Sequence, residues 1–304
     1  MSPTPAVPLD EFRLGVLRRD SGLASVKKSW PHWRPHLLAA VGEKPDTSSV
    51  WALGEALREA FTAVPKAGRS QGELSRSGTA FEYLLCWYLN LIFWGTEVVV
   101  ARGNGKNSPS SLQDAVAVRM GTTMSKSETD LLAFSVPGGM DWKQGRLNSL
   151  TRVNERVSKN FKGVTVVILQ SKTNWADNAQ VPMLWDLIYD VERFASKNVE
   201  VGVGGFTPRS LKKFRYAFAT VPTGKPPETR KASGVNVKRV QQLSGHNYWC
   251  AKTIPDVALC INEFPGVNFQ EEIVLTDAGH LPGHVQQNLN EEPDLVAAFL
   301  DLDF

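Results

Sequence analysis

The stretch Val164-Thr165-Val166-Val167-Ile168-Leu169-Gln170-Ser171-Lys172 runs an apolar, largely β-branched segment straight into three polar residues. β-Branched side chains suit a pleated backbone, and a nearly continuous run of them, in place of strict alternation, marks a strand covered on both faces. Outward from it, residues 97–101 and 129–136 read as strands, the second ended by Pro137-Gly138-Gly139, and residues 199–206 and 216–221 as two more. Helical spacing of apolar positions predicts a helix over 79–93 and another over 183–196, with the Gly/Asn/Ser/Pro-rich residues 103–111 as a loop. Residues 140–162 are polar, basic and in part helical. Strands alternating with helices about one buried strand predict an α/β sandwich.

This core spans 75–221. Residues 1–74 read as a helical N-terminal region with breaks at Pro31, Pro35, Pro45 and Pro65, and residues 222–304 as a mixed C-terminal region entered through the Pro/Gly/Lys-rich segment 222–234. The net charge of +3 over 304 residues conceals an uneven distribution. Residues 1–255 carry 34 basic and 21 acidic side chains, whereas 256–304 carry 10 acidic and no basic ones. Two segments hold much of the excess: 138–175 has 7 basic against 2 acidic groups, and 207–240 has 9 against 1. Such patches suit a polyanionic partner, and equally a solvated basic surface. The acidic end is expected on an outer face or against the basic surface of another subunit.

Cys86, Cys250 and Cys260 leave one thiol over after any pairing, so buried thiols in a reducing cytoplasm are expected, with no disulfide framework. Met1-Ser2-Pro3-Thr4-Pro5 shows no basic segment ahead of an apolar one, and no apolar stretch reaches the length of a bilayer span. The composition is neither disordered nor collagenous.

The chemistry sits where the strands end. Side chains alternate along a strand, so Gln170 and Lys172 share one face with Ile168 and Ser171 takes the other. An ammonium at the end of a buried strand calls for an anion nearby. Asp130, just ahead of Leu131-Leu132-Ala133-Phe134, is the candidate, and Glu128, two residues earlier on the same face, is its alternative. If the two strands are neighbours, a carboxylate, an amide oxygen and a lysine converge on one sheet edge. That set suits metal-assisted phosphodiester hydrolysis: oxygens hold a hard divalent cation, and lysine orients or deprotonates water or stabilises a phosphate oxygen. The same Asp130 and Lys172 would also serve as a structural ion pair. Thr79-Ala80-Phe81-Glu82 has capping-box form, which explains Glu82 locally; on a helix apolar nearly all round, Glu82 also suits a metal site.

Asp130, a strand ending in Gln170-x-Lys172 and a helical Glu82 together resemble the PD-(D/E)XK nuclease superfamily, in particular the type II restriction endonucleases. The resemblance covers roughly residues 75–220. It implies a three-layer core, a central mixed β-sheet flanked by helices, with the N- and C-terminal regions as additions. It implies a Mg²⁺ site on Asp130, Gln170 and Glu82, and catalysis by these residues with Lys172. Gln170 departs from the usual acid, removing one negative charge, and Thr129 stands where the loose motif has Pro. The separation of 40 residues between Asp130 and Gln170 is long for the family, and the basic insertion 138–162 accounts for it. The expected activity is site-specific cleavage of double-stranded DNA by a homodimer, since cutting both strands calls for two sites, with a companion DNA methyltransferase. A structure-specific repair or recombination nuclease, and a DNA-binding protein with a vestigial nuclease core, are the alternatives.

For DNA contact the candidates are Asn174 and Asn178, just beyond the lysine, and Arg209, Lys212, Lys213, Arg215, Arg230, Lys231, Lys238 and Arg239, interleaved with Phe206, Phe214 and Tyr216. His246, Cys250 and Cys260 lack a zinc spacing. Gly202, Gly204 and Gly205 read as a turn, with no following helix to make a dinucleotide site.

Overall fold

The computed structural model describes residues 8–19, 23–64, 71–103, 106–120, 122–125, 129–138, 149–173, 199–221, 231–274 and 280–302. The helix expected over 183–196, together with Glu128, Asn174, Asn178 and Arg230, lies outside them.

The described chain begins with four helices, α1 (Pro8–Arg19), α2 (Leu23–Val41), α3 (Thr47–Thr62) and α4 (Gln71–Ile92). Pro31 and Pro35, expected to break the chain, lie inside α2. The buried Val26, Trp30, Trp33, Leu37 and Val41 carry the helix through them, because packing of this face outweighs the backbone bonds that the prolines remove. A chain of strands and helices follows: β1 (Val98–Arg102), α5 (Ser110–Val116), β2 (Val118–Met120), β3 (Thr123–Ser125), β4 (Leu131–Ser135), α6 (Leu150–Lys159), β5 (Thr165–Lys172), β6 (Val199–Val201) and β7 (Lys213–Thr220). The C-terminal part contributes α7 (Val235–Leu243), β8 (Tyr248–Cys250), β9 (Leu259–Cys260), α8 (Phe264–Asn268), α9 (Gln270–Val274), α10 (Leu281–Glu291) and α11 (Leu295–Leu300).

The fold is α/β, with a mixed six-stranded sheet in the order β1-β4-β5-β7-β8-β9. β4 runs antiparallel to its neighbours β1 and β5, whereas β5, β7, β8 and β9 run parallel. β5 therefore has a neighbour on each side, and all but its last residue are buried, as its apolar run predicts. Helices flank both faces. On one, Phe218, Tyr248 and Cys250 pack against Val237 and Val240 of α7. On the other, Ala217, Ala219 and Trp249 join the main cluster, which takes in α1 to α4 and the C-terminal helices. The sheet thus continues past residue 221, and residues from all three sequence regions share this core. Indole N–H groups tie them further: Trp30 donates to Leu300 O at 3.1 Å and Trp87 to Phe299 O at 2.9 Å.

The strand read over 199–206 is shorter than expected. β6 stops at Val201 and joins β2 and β3 in a separate three-stranded sheet. Gly202, at φ 91°, starts a turn that closes with a Val203–Phe206 bridge, and an added Cβ there would meet Phe206 O at 2.2 Å.

β1 is an edge strand, and its outward backbone groups are satisfied by two buried side chains. Asn90 of α4 donates to Val100 O at 2.7 Å and accepts from Val100 N at 3.1 Å. The Arg13 guanidinium donates to Val98 O through Nε at 3.0 Å and Nη2 at 2.6 Å, and pairs with Asp10. A paired and covered edge cannot template another strand. Asn90→Leu keeps the size and leaves both Val100 groups unsatisfied, each at a cost of about 1–3 kcal/mol. The expected outcome is a loss of about 3 kcal/mol in urea unfolding at unchanged m-value, since the surface exposed on unfolding stays the same.

Candidate active site

The antiparallel register pairs Leu131 with Leu169, which sets Asp130, the residue ahead of β4, beside Gln170. Gln170 Nε2 donates to Asp130 Oδ2 at 2.6 Å, Ser171 N donates to the same oxygen at 2.8 Å, and Ser171 Oγ reaches it at 3.4 Å. Asp130 is thus clasped by the polar end of β5. Burial raises its carboxyl above the usual range; the Ser171 amide, the Lys172 charge, the Ser171 hydroxyl and the Arg102 charge pull it down without cancelling that rise. Lys172 ends β5 half-buried.

Glu82 is held differently from its sequence reading. α4 begins at Gln71, so Glu82 lies in the helix interior and Thr79 is no N-cap; the capping-box form of 79–82 has no helix start to act on. Its carboxylate instead meets Arg102, the last residue of β1, with Oε2 at 2.9 Å from Nη2 and both side chains less than one-fifth exposed. Arg102 stands opposite Leu131, and Gly103 N donates to Asp130 O at 3.1 Å, so the ion pair adjoins the Asp130 clasp. Sequence reasoning overlooked Arg102 and Ser171. The available signal for Arg102 was the one used for Lys172: Val98-Val99-Val100-Ala101-Arg102 is also a buried run that ends in a cation.

These residues fit a hard cation in part. Gln170 Oε1 is buried without a hydrogen-bond partner, a state that a cation ligand would relieve. All three hydrogen bonds to Asp130 fall on Oδ2, which leaves Oδ1 for a ligand. Among the described residues no group of three or more His, Cys, Asp or Glu side chains is poised to hold a metal, and the oxygens at the end of β5 are one carboxylate, Asp130, and one amide carbonyl, Gln170, with Glu82 held by Arg102.

The basic residues are divided between two places. Lys213 pairs in register with Thr165 at the start of β5, about 23 Å from Lys172 at roughly 3.3 Å per residue, hence at the opposite end of the sheet. There Lys212 Nζ lies 2.9 Å from Glu271 and 3.3 Å from Glu272, Lys213 Nζ donates to Asn268 O at 3.2 Å, and Arg215 donates to Val267 O at 3.0 Å. Pairing with Glu271 raises the Lys212 ammonium and lowers the Glu271 carboxyl. Asp256, Glu263, Glu291, Asp294 and Asp301 are exposed, in keeping with the outer face expected for the acidic C-terminal region, whereas at α9 Glu271 and Glu272 meet basic residues of their own chain. Complementary charge explains this, together with Thr165 Oγ1, which donates to the buried Glu272 at 2.6 Å. Arg209 is exposed in the turn Pro208–Ser210, and Lys231, Lys238 and Arg239 are exposed just before and on α7.

Cys86, Cys250 and Cys260 are free and buried, and burial pushes the Cys250 thiol up to about 12. Among the described residues no helix is long and apolar enough to cross a membrane. No protein-family model and no curated protein matches the chain.

A carboxyl raised by folding binds its proton more readily in the native state, so its contribution to stability is full below the unfolded pKa and is lost as pH rises through the folded one. Asp130→Asn mimics the protonated form and keeps an oxygen for Gln170 and Ser171. In chelator, Asp130→Asn is expected to melt above the parent at about pH 7, with the gap closing towards about pH 4; a parent that is more stable at neutral pH contradicts a carboxylate strained by burial.

Proposed function

We propose that this chain is a Mg²⁺-dependent, type II site-specific endodeoxyribonuclease that cleaves double-stranded DNA, with a restriction-endonuclease-like three-layer core and a homodimeric assembly. The observation that carries the reading is the contact between Asp130 and Gln170 at the polar end of β5, beside Lys172 and next to the Glu82–Arg102 pair. The mixed sheet flanked by helices is compatible with that core. Asp130, Gln170 and Glu82 would hold the cation, which when bound lowers the pKa of a water and neutralises charge on the phosphate.

The chain's own groups do the rest. Asp130, fixed by Gln170 and Ser171, offers a placed carboxylate oxygen with little freedom to lose on binding. Lys172 orients the attacking water, or stabilises the non-bridging oxygens as charge grows on them. Water oxygen forms the new bond to phosphorus, the bond to one ester oxygen breaks, and that oxygen leaves with a proton. Lys231 just before α7 and Lys238 and Arg239 on its exposed side, with Arg209, supply phosphate contacts. Lys212, Lys213 and Arg215 have intramolecular partners at the other end of the sheet, so their part in DNA binding is the weaker element of this reading. Such an enzyme would be accompanied by a DNA methyltransferase protecting its site.

One observation favours a second reading, a DNA-binding protein with a vestigial nuclease core. Gln170 turns its amide N–H towards Asp130 and is neutral where an acid would strengthen a metal site. Incubation of unmethylated plasmid or phage DNA with Mg²⁺ separates the possibilities. Discrete bands are expected; cutting confined to junctions would indicate a repair or recombination nuclease, and binding without cutting the vestigial module. Asp130→Ala and Lys172→Ala are each expected to lower cleavage at least about 100-fold with DNA affinity nearly unchanged, and normal cutting by either removes it from the site. Gln170→Glu is expected to lower the Mg²⁺ concentration for half-maximal cleavage, since a second carboxylate strengthens binding of a hard cation. Lys238→Glu/Arg239→Glu is expected to weaken binding most at low salt; an unchanged salt slope takes α7 out of the interface.

A further inference from the structure

Arg102 has no role in the reading above, yet it stands at the centre of the cluster's charge. It ends β1 opposite Leu131, one residue from the Asp130 clasp, and its charge is one of the influences holding the Asp130 carboxyl down. Its partner, Glu82, is the carboxylate that the resemblance makes an auxiliary metal ligand. The guanidinium therefore sets a positive charge beside both carboxylates.

Among the described residues, the Glu82–Arg102 pair and Lys172 stand around Asp130 at this rim, and Gln170 is neutral. A divalent cation added there would leave positive charge that an anionic phosphodiester lowers. A planar guanidinium matches two phosphate oxygens at once, which an ammonium does not.

Resting on the nuclease reading, we infer that Arg102 is a further substrate-positioning residue: it neutralises Glu82 in the ligand-free chain and takes a non-bridging oxygen of the scissile phosphodiester when DNA is seated. Glu82 and the phosphate are alternative anionic partners of one guanidinium, so release of Glu82 and engagement of substrate are coupled. No covalent change is involved; one charge-assisted hydrogen-bonded pair replaces another.

The test pairs Arg102 with the charge of a single phosphate. Once a cut site has been mapped with Mg²⁺, duplexes carrying it are made with a native phosphodiester or a neutral methylphosphonate at the scissile position, and binding is measured in Ca²⁺. The affinity penalty for methylphosphonate is expected to be about tenfold larger in the parent than in Arg102→Ala, the size of one charge-assisted contact, with Arg102→Lys intermediate. A general structural role for Arg102 would weaken both duplexes equally and leave the penalty unchanged. If Arg102→Ala does not fold, because Glu82 loses its guanidinium partner, the same comparison is made between Glu82→Gln and Glu82→Gln/Arg102→Gln. A parent that cuts, with penalties equal within about twofold across the variant pair, overturns the role of Arg102 alone. A parent that neither cuts any duplex in Mg²⁺ nor binds DNA in Ca²⁺ overturns the nuclease reading and this inference with it.

Discussion

β5 is hydrogen-bonded on both sides and covered on both faces, which leaves its polar residues one place to go. A buried polar group without a partner costs free energy, and a buried charge costs more, so Gln170, Ser171 and Lys172 fall at the strand's end. The antiparallel register with β4 then decides what they meet. Leu131 opposite Leu169 brings Asp130 to Gln170 and to the Ser171 amide. A one-residue slip would reverse the faces of Leu131 to Ser135 and drive polar atoms into the core, so the packing that stabilises the sheet also specifies the site.

The neighbouring strand repeats this arrangement. β1 is buried along Val98 to Ala101 and turns polar at Arg102, whose guanidinium finds Glu82 on the helix packed beside it. Among the described residues, the strand ends bring Asp130, Gln170 and Lys172 to one rim next to the Glu82–Arg102 pair. Burial holds the Asp130 carboxyl above its ordinary range despite those cations. Stability is drawn from elsewhere: the closed edge of β1 and the large aromatic cluster in which Trp30, Trp33 and Trp87 meet Phe61 and Phe81.

The overall charge divides spatially as well as along the chain. Lys212 with Glu271 and Glu272 closes the far end of the sheet, where basic strand start and acidic helix neutralise one another. Such pairing holds α9 against the sheet and takes these lysines away from the Asp130 rim. The exposed cations on α7 lie on the face opposite the main core cluster. A basic segment in the sequence thus splits into a structural half and an exposed half.

Much of the core was legible because it follows local rules. Six β-branched or apolar residues from Val164 to Leu169 specify a buried strand, alternation assigns Gln170 and Ser171 to different faces, and a cation after such a run announces a strand end. Helix limits were not legible: α4 starts eight residues before Thr79, and α2 passes through Pro31 and Pro35, because packing against the core outweighs local capping and breaking preferences. The partners of Glu82 and Lys212 were equally hidden. Residues 20 and about 60 positions apart in sequence meet only when strand order and register bring them together, and electrostatic attraction depends on distance in space, of which chain order carries no record.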